Sequence, residues 1–297
     1  MSASGGAGRS AAAAWGVPLA RDVVLASGPD AVTYLQGQLS QDVAALGQGD
    51  STWSLLLTPQ GHLVALLRVT RTGDDAFALD ADAGAGPDVL ARLQRFLLRT
   101  RCELAQVPWT CLAVRGPGAV APASRPGEAW VVVPETPGSD GYDLLGPDVA
   151  LPAGIEPGDP ASYEALRIER GVPRMGSELG ECTIPAEAGI VDRSTSFTKG
   201  CYTGQELVAR IDSRGGNVPR RLRGLELAAG ADVPPPGAVV VVGEHEVGTV
   251  TSAAWSARRG APVALAYARR GTDVPAPCTV SWDGTAVPAT LSELPLA

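Results

Sequence analysis

Histidine is nearly missing from this chain of 297 residues, in which only His62 and His245 occur. Cysteine is sparse too: Cys102, Cys111, Cys182, Cys201 and Cys278 form no C-x-x-C pair. A zinc site built from this chain alone is therefore not expected. An odd number of thiols without a secretory leader also argues against a disulfide framework. Long apolar runs are lacking, since Ala238–Val242 and Leu63–Leu67 fall far short of the roughly 20 residues a membrane helix needs. Positive charge is in deficit, with a net charge of −8 and one basic cluster, Arg220, Arg221 and Arg223. That balance lacks the electrostatic footprint of a polyanion binder, so direct nucleic-acid binding is not expected. Met1 to Ala14 has neither the basic start nor the apolar stretch of a secretory signal. It reads as a disordered leader, residues 1–14, on a cytoplasmic protein.

What is present is a mixed α and β pattern. With 45% hydrophobic and 19% charged residues the chain can bury one large core or several small ones. Val32, Leu35, Leu39 and Val43, spaced by three and four, predict an amphipathic helix over Pro29 to Val43. Strands follow at Trp53–Leu57 and Leu63–Thr70, joined by the turn Thr58-Pro59-Gln60-Gly61. A short strand at Ala76–Leu79 leads to a helix near Pro87–Thr100. Further strands are expected at Thr110–Val114, Trp130–Val133 and Tyr142–Leu145, then a helix at Ala161–Arg170. After Arg220 the pattern is β only, with segments at Gly224–Leu227, Ala238–Val242, Glu246–Ser252, Val263–Ala268, Thr279–Trp282 and Val287–Leu291. Short strands at this spacing suggest a separate small barrel. Trp53, Trp130, Trp255 and Trp282 fall in strand patterns and read as core or barrel residues.

The chemistry-bearing stretch is Lys199-Gly200-Cys201-Tyr202-Thr203-Gly204-Gln205-Glu206. Thr203 and Glu206 fit a capping box at a helix start, and Leu207, Val208 and Ile211 give that helix an apolar face. Cys201 would then sit before a helix N-terminus beside Lys199, where dipole and ammonium would lower its pKa and make the thiol reactive. The alternative is a small apolar thiol packed under the helix. His62, at the hairpin turn, reads as an exposed residue, and the arginine cluster as either solvated or ligand-facing.

This wording resembles the signature of the YgfZ-type folate-binding proteins of the glycine-cleavage T-protein (GcvT) superfamily. Leu166-Arg167-Ile168-Glu169-Arg170-Gly171, Ile184-Pro185-Ala186-Glu187-Ala188 and Gly28-Pro29-Asp30-Ala31 with Tyr34 to Val43 are similar to further segments of that family. The resemblance implies an α+β, three-domain arrangement around a central folate funnel. The first α/β domain would be interrupted, formed by residues 15–48 together with residues 155–219, which carry the motif. Residues 49–154 would form a ferredoxin-like second domain, and 220–297 a C-terminal β-barrel. The resemblance also implies tetrahydrofolate as the ligand, with Glu169 reading the pterin by a bidentate carboxylate pairing. Tyr202, Gln205 and Arg221 would be further folate-side residues. Cys201, helped by Lys199, would be a redox thiol or a transient iron–sulfur cluster ligand. One cysteine cannot hold a cluster alone, so an iron–sulfur scaffold or client protein is implied as partner, with any effect on tRNA modification indirect. Aminomethyltransferases of the superfamily carry an Asp pair where this chain has Ala65 and Leu66. Neither can assist a developing charge. The expectation is thus a folate-binding accessory protein of iron–sulfur cluster assembly or repair, with a folate-dependent aminomethyltransferase or demethylase as the alternative.

Overall fold

Strand pairing sorts the chain into three sheets. The computed structural model describes residues 14–124, 128–136 and 138–296. Residues 1–13 of the expected leader lie outside the described residues. In chain order the elements are β1 (Trp15–Leu19), β2 (Arg21–Ser27), α1 (Ala31–Gln38), β3 (Ser51–Leu57), β4 (Leu63–Gly73), β5 (Ala76–Asp82), α2 (Gly86–Gln94) and β6 (Glu103–Val107). Next come β7 (Thr110–Arg115), β8 (Trp130–Val132), β9 (Gly141–Gly146), β10 (Glu156–Pro157), α3 (Pro160–Glu169), α4 (Val191–Ser194) and α5 (Gln205–Ser213). The last six strands are β11 (Arg220–Leu227), β12 (Val239–Val242), β13 (His245–Ser256), β14 (Ala261–Arg269), β15 (Ala276–Trp282) and β16 (Thr285–Ser292).

The first sheet has the order β10-β1-β7-β9-β8 and the second β3-β4-β5-β2-β6, while β11 to β16 close a barrel in the order β11-β14-β13-β12-β15-β16. The fold is α+β with a C-terminal barrel. Residues 15–48 therefore contribute β1 to one sheet and β2 with α1 to the next. Each predicted strand is found; β1, β2, β6 and β10 are additional.

Two helices stop short of their predicted ends. α1 ends at Gln38 because Leu39 turns extended, with ψ 149°, and bridges to Leu56. Leu39 and Val43 stay buried, so the apolar spacing marks the core while the last part of the run is not helical. α2 ends at Gln94, and Arg99 beyond it has a positive φ of 56° that a helix cannot hold. α3 matches its prediction within a residue at each end, opened by the Asp159 carboxylate accepting from the Ala161 and Ser162 N–H groups.

Register decides what each face of the second sheet does. Trp53 lies opposite Arg68, Arg68 opposite Asp80, and Asp82 opposite Arg21. With side chains alternating across a strand, these residues share one face with Leu55 and Leu66. Ala65, Leu67, Val69 and Leu79 turn the other way and pack with Leu35 and Leu39 of the α1 region and Val89 and Leu93 of α2. The charged face meets the first sheet. There Asp143 of β9 takes Arg68 at 2.5 Å and Arg115 of β7 at 2.6 Å, while Arg21 holds Asp80 at 2.8 Å and Asp82 at 2.5 Å. Burial of Asp80, Asp143, Arg68 and Arg115 makes unpaired charge untenable, so each finds a counter-ion. Of the tryptophans, Trp53 and Trp130 are core and Trp282 packs on the barrel, but Trp255 points outward and is 45% exposed. It lies on the outer side of β13, next to inward-facing Ala254 and Ser256.

Candidate functional site

The Lys199–Glu206 segment wraps the end of α1. Lys199 Nζ donates to the carbonyls of Gln36 (2.6 Å), Leu39 (2.7 Å) and Gln41 (2.9 Å), and lies 5.4 Å from the Tyr202 ring centroid. It is the only lysine in the sequence. Its charge serves as a C-terminal cap for α1, where carbonyls point outward without helical partners. Half-burial pushes its pKa down to about 8.

The expected capping box is not formed. Gly204 is the N-cap of α5 with φ +84°, and offers no side chain. A Cβ there would sit 2.5 Å from the Thr58 carbonyl oxygen and 2.8 Å from Leu57 Cβ, so the motif needs glycine to lie against the β3–β4 turn. Thr203 turns away, its N–H donating to the Gly37 carbonyl at 3.0 Å. Gln205 takes over the reciprocal role: its Oε1 accepts from the Tyr202 N–H at 3.2 Å. Cys201 is exposed and lies outside the first turn of α5. The dipole effect fades beyond that turn, and the lysine charge is directed into α1, so the two causes expected to activate this thiol act elsewhere. The reading of Cys201 as packed under the helix is also excluded by its exposure.

Beneath the segment, Tyr202 packs in an apolar cluster with Trp53, Leu55, Leu66, Ile190 and Val208. Burial pushes the Tyr202 hydroxyl up to about 12. Leu66, 3% exposed, looks into this cluster; Ala65, fully buried, faces the helices instead. The two positions at which the resemblance implies an Asp pair in aminomethyltransferases are thus filled here by buried apolar side chains. Arg193 of α4 stands over the Trp53 ring at 5.5 Å.

A cavity of about 530 Å³ opens between the first two sheets and α3, lined by Arg21, Asp82, Glu135, Tyr163, Arg174 and Met175 among others. Sequence reasoning did not find it, because its residues come from segments far apart. The Tyr163 hydroxyl donates to Glu135 Oε2 at 2.5 Å, Arg21 lies 3.5 Å from Glu135, and the Met175 N–H donates to Asp82 at 2.8 Å. Burial acts to raise both carboxyls. Arg21 and the Tyr163 hydroxyl outweigh it at Glu135, which is held below the usual range, whereas at Asp82 burial wins over Arg21 and the pKa is raised. A pair of carboxyls pushed apart in this way offers one acceptor and one group that can share a proton. Such a lining fits a pteridine edge, which presents amino and ring N–H donors. The volume is within the range of small-ligand sites, about 300–1,000 Å³.

Glu169 is elsewhere. Its buried carboxylate accepts from the Ser256 hydroxyl and from Arg258 at 3.0 and 2.7 Å, with Arg259 at 3.8 Å. Glu169 thus ties α3 to the barrel. Arg221 donates to the Gly216 carbonyl at 2.6 Å and lines a separate cleft of about 310 Å³ with Leu207 and Ile211 of α5. Arg220 pairs with Glu187 at 3.0 Å and Arg223 with Glu293 at 2.9 Å, so this cluster meets partners within the chain. His62 is exposed at the β3–β4 turn. The structure brings Lys199, Cys201, Tyr202 and Gln205 together, with Arg221 beyond the far end of α5 and Glu169 apart. Among the described residues no three His, Cys, Asp or Glu side chains are grouped to hold a metal ion, and no helix is long and apolar enough to cross a membrane.

Comparison with known proteins supports the fold. Residues 19–124 match the model of the GCVT N-terminal domain, and residues 220–297 that of the glycine cleavage T-protein C-terminal barrel domain. The chain is 31% identical over 304 residues to an aminomethyltransferase of Thermus thermophilus, covering 91% of this chain and 83% of that protein. It is 29% identical over 194 residues to an uncharacterised protein of Haemophilus influenzae, covering 64% of this chain and 65% of the other. Among solved structures, the glycine cleavage system aminomethyltransferase T from Bartonella henselae superposes with a TM-score of 0.82 at 22% identity, over 96% of this chain and 87% of that one.

Proposed function

We propose that this chain, which belongs to the glycine-cleavage T-protein superfamily, is a YgfZ-type, tetrahydrofolate-binding accessory protein for iron–sulfur cluster assembly or repair. The observation that carries the reading is the state of the motif: Lys199 and Gln205 are held by hydrogen bonds and Tyr202 by packing, while the Cys201 side chain between them is exposed. An exposed thiol on a rigid loop suits transient contact with a partner's cluster or disulfide. A shared cluster draws its other thiolates from that partner. Tetrahydrofolate would occupy the cavity of Glu135 and Asp82, whose carboxyls would accept from the pteridine donors, with Tyr163 fixing Glu135. Effects on tRNA modification would follow through iron–sulfur enzymes, and the setting would be the cytoplasm.

A second reading, a folate-dependent aminomethyltransferase or demethylase, is favoured by the similarity to aminomethyltransferases along nearly the whole chain. Against it stand Ala65 and Leu66, both buried, in place of the carboxylate pair. The test joins two measurements. Cys201→Ser should bind tetrahydrofolate as tightly as the native protein yet fail to restore iron–sulfur enzyme activity in a deletion strain. Glu135→Gln should weaken folate binding at least tenfold. Full rescue by Cys201→Ser removes the thiol role, and folate-dependent turnover of a methylamine donor establishes the second reading instead.

A further inference from the structure

A second basic stretch follows α2. From Val89 to Cys102 the chain has Arg92, Arg95, Arg99 and Arg101 and no acid, although the net charge of the whole is −8. The turn after Gln94 also carries Phe96, 37% exposed, and Leu98, which at 83% is the barest large apolar side chain among the described residues. Arg99 holds a left-handed φ of 56°, a conformation that strains any residue with a Cβ. Of these arginines only Arg101 meets a carboxylate among the described residues, Asp30 at 2.9 Å. Arg95 and Arg99 are exposed without a described ion pair, and Arg92 donates instead to the Leu57 carbonyl at 3.0 Å and Gln38 Oε1 at 3.1 Å. A lone exposed leucine is ordinary. This one stands beside an exposed aromatic ring and cations that lack counter-ions.

The turn and the Cys201 motif are anchored to the same short stretch, residues 36–41 at the end of α1. From the motif side, Lys199 Nζ donates to the carbonyls of Gln36, Leu39 and Gln41, the Ser196 N–H to the Ser40 carbonyl at 3.0 Å, and the Thr203 N–H to the Gly37 carbonyl at 3.0 Å. From the α2 side, Arg92 reaches Gln38, and its guanidinium lies 4.1 Å from the centroid of the Phe96 ring. Phe197, 52% exposed, adjoins Ser196, and the exposed Cys201 lies between Lys199 and Thr203. Phe96, Phe197 and the thiol are therefore tethered around one helix end.

We propose that the surface around the end of α1 docks an acidic protein, with Phe96, Leu98 and Phe197 meeting its apolar part and Arg95 and Arg99 its carboxylates. The inference rests on the function proposed above, since the docked protein is the one whose cluster or disulfide Cys201 contacts. Unpaired cations set the sign of the partner, and arginine with aromatic side chains is the composition of interface centres. An anionic bilayer also attracts basic and apolar side chains. Here, however, the turn supplies only two large exposed apolar side chains, on a chain whose net charge of −8 is repelled by such a bilayer. A protein is the better match.

The test uses the full chain with Leu98→Ser, and with Arg95→Glu and Arg99→Glu together. These side chains are exposed, so the melting temperature should match that of the native protein; a clear drop would assign them to the fold and overturn the proposal. In a deletion strain both variants should restore iron–sulfur enzyme activity at least fivefold less well than the native chain, while Arg95→Lys with Arg99→Lys, which keeps the charge, restores it in full. Full restoration by both variants where Cys201→Ser fails would overturn the docking surface and leave the thiol role standing. Full restoration by Cys201→Ser as well would overturn both. Benzoylphenylalanine placed at position 98 should crosslink in those cells to an acidic iron–sulfur protein, and the adduct should vanish with Arg95→Glu and Arg99→Glu. Adducts with basic proteins only, or with none, would overturn the proposal. So would sedimentation of the native chain with vesicles of phosphatidylglycerol and phosphatidylcholine that the charge reversal abolishes, which would make the surface a membrane contact.

Discussion

Replacing Asp143 by asparagine keeps the shape of the side chain and removes its charge at a point no solvent reaches. Asp143 is fully buried and takes Arg68 at 2.5 Å, Arg115 at 2.6 Å and the Glu135 N–H at 2.9 Å. Arg68 keeps Asp80 at 2.8 Å, but Arg115 has no second carboxylate among the described ion pairs. The substitution thus leaves one fully buried guanidinium without a counter-ion and turns an amide donor toward another. Removing one partner of a buried pair costs about 3–5 kcal/mol, against a total stability of about 5–15 kcal/mol. Urea unfolding followed by circular dichroism should show a loss of that size. Because the pair is out of reach of screening ions, the loss should be the same at about 0.1 M and 1 M salt. Adding Arg115→Met to Asp143→Asn should cost less than Arg115→Met alone, with a coupling of roughly 0.5–3 kcal/mol. A variant within about 0.5 kcal/mol of the native protein, or a loss that disappears in high salt, would show that these charges do not tie the two sheets together.

Lys199→Met should lower stability by about 1–3 kcal/mol, since three carbonyls at the end of α1 lose their donor; hydrogen exchange at Leu39 and Ser40 would rise with it. Gly204→Ala, at φ +84° and against the Thr58 carbonyl, should cost about 1–3 kcal/mol in thermal unfolding, and an unchanged melting temperature would refute the close approach. Of the five thiols, Cys182 and Cys201 should react rapidly with a disulfide reagent in the native protein. Cys111, pushed by burial up to about 12, should react only on unfolding. Glu169→Gln should loosen the barrel, seen as faster proteolysis between α3 and β13, while tetrahydrofolate affinity stays unchanged.

Period and spacing were enough to find the strands of the barrel and the hairpin β3–β4, because each is a local pattern between Gly or Pro turns. The residues of α1 were identified as core, but its end was not: Leu39 turns extended to bridge Leu56, and the cap on that end is Lys199, over a hundred residues later in the chain. The motif was legible as a glycine-cornered helix start, yet the share of each residue was misassigned. Thr203 and Glu206 satisfy a pattern, whereas in three dimensions Gly204 is pressed against Thr58 and Gln205 does the capping. The cavity of Arg21, Asp82, Glu135 and Tyr163 had no linear signal, since none of these residues has its partner within a turn or a strand of itself. Glu169 was singled out by resemblance as the carboxylate that would read the pterin, but its partners lie on the barrel, which no local pattern relates to α3.

Alternation along β4 sharpens what the loss of the Asp pair means. Adjacent strand residues point to opposite faces, so the two carboxylates of a pair at positions 65 and 66 could not both look into one cleft. Position 65 faces α1 and α2, where Ala65 packs in one cluster with Leu67, Leu35 and Val89. Position 66 faces Trp53, Tyr202 and Ile190. Of the two positions, only Leu66 therefore looks toward the motif. Its apolar surroundings include Tyr202 from the motif itself, so an aspartate restored there would be desolvated against a tyrosine whose own ionisation burial already opposes.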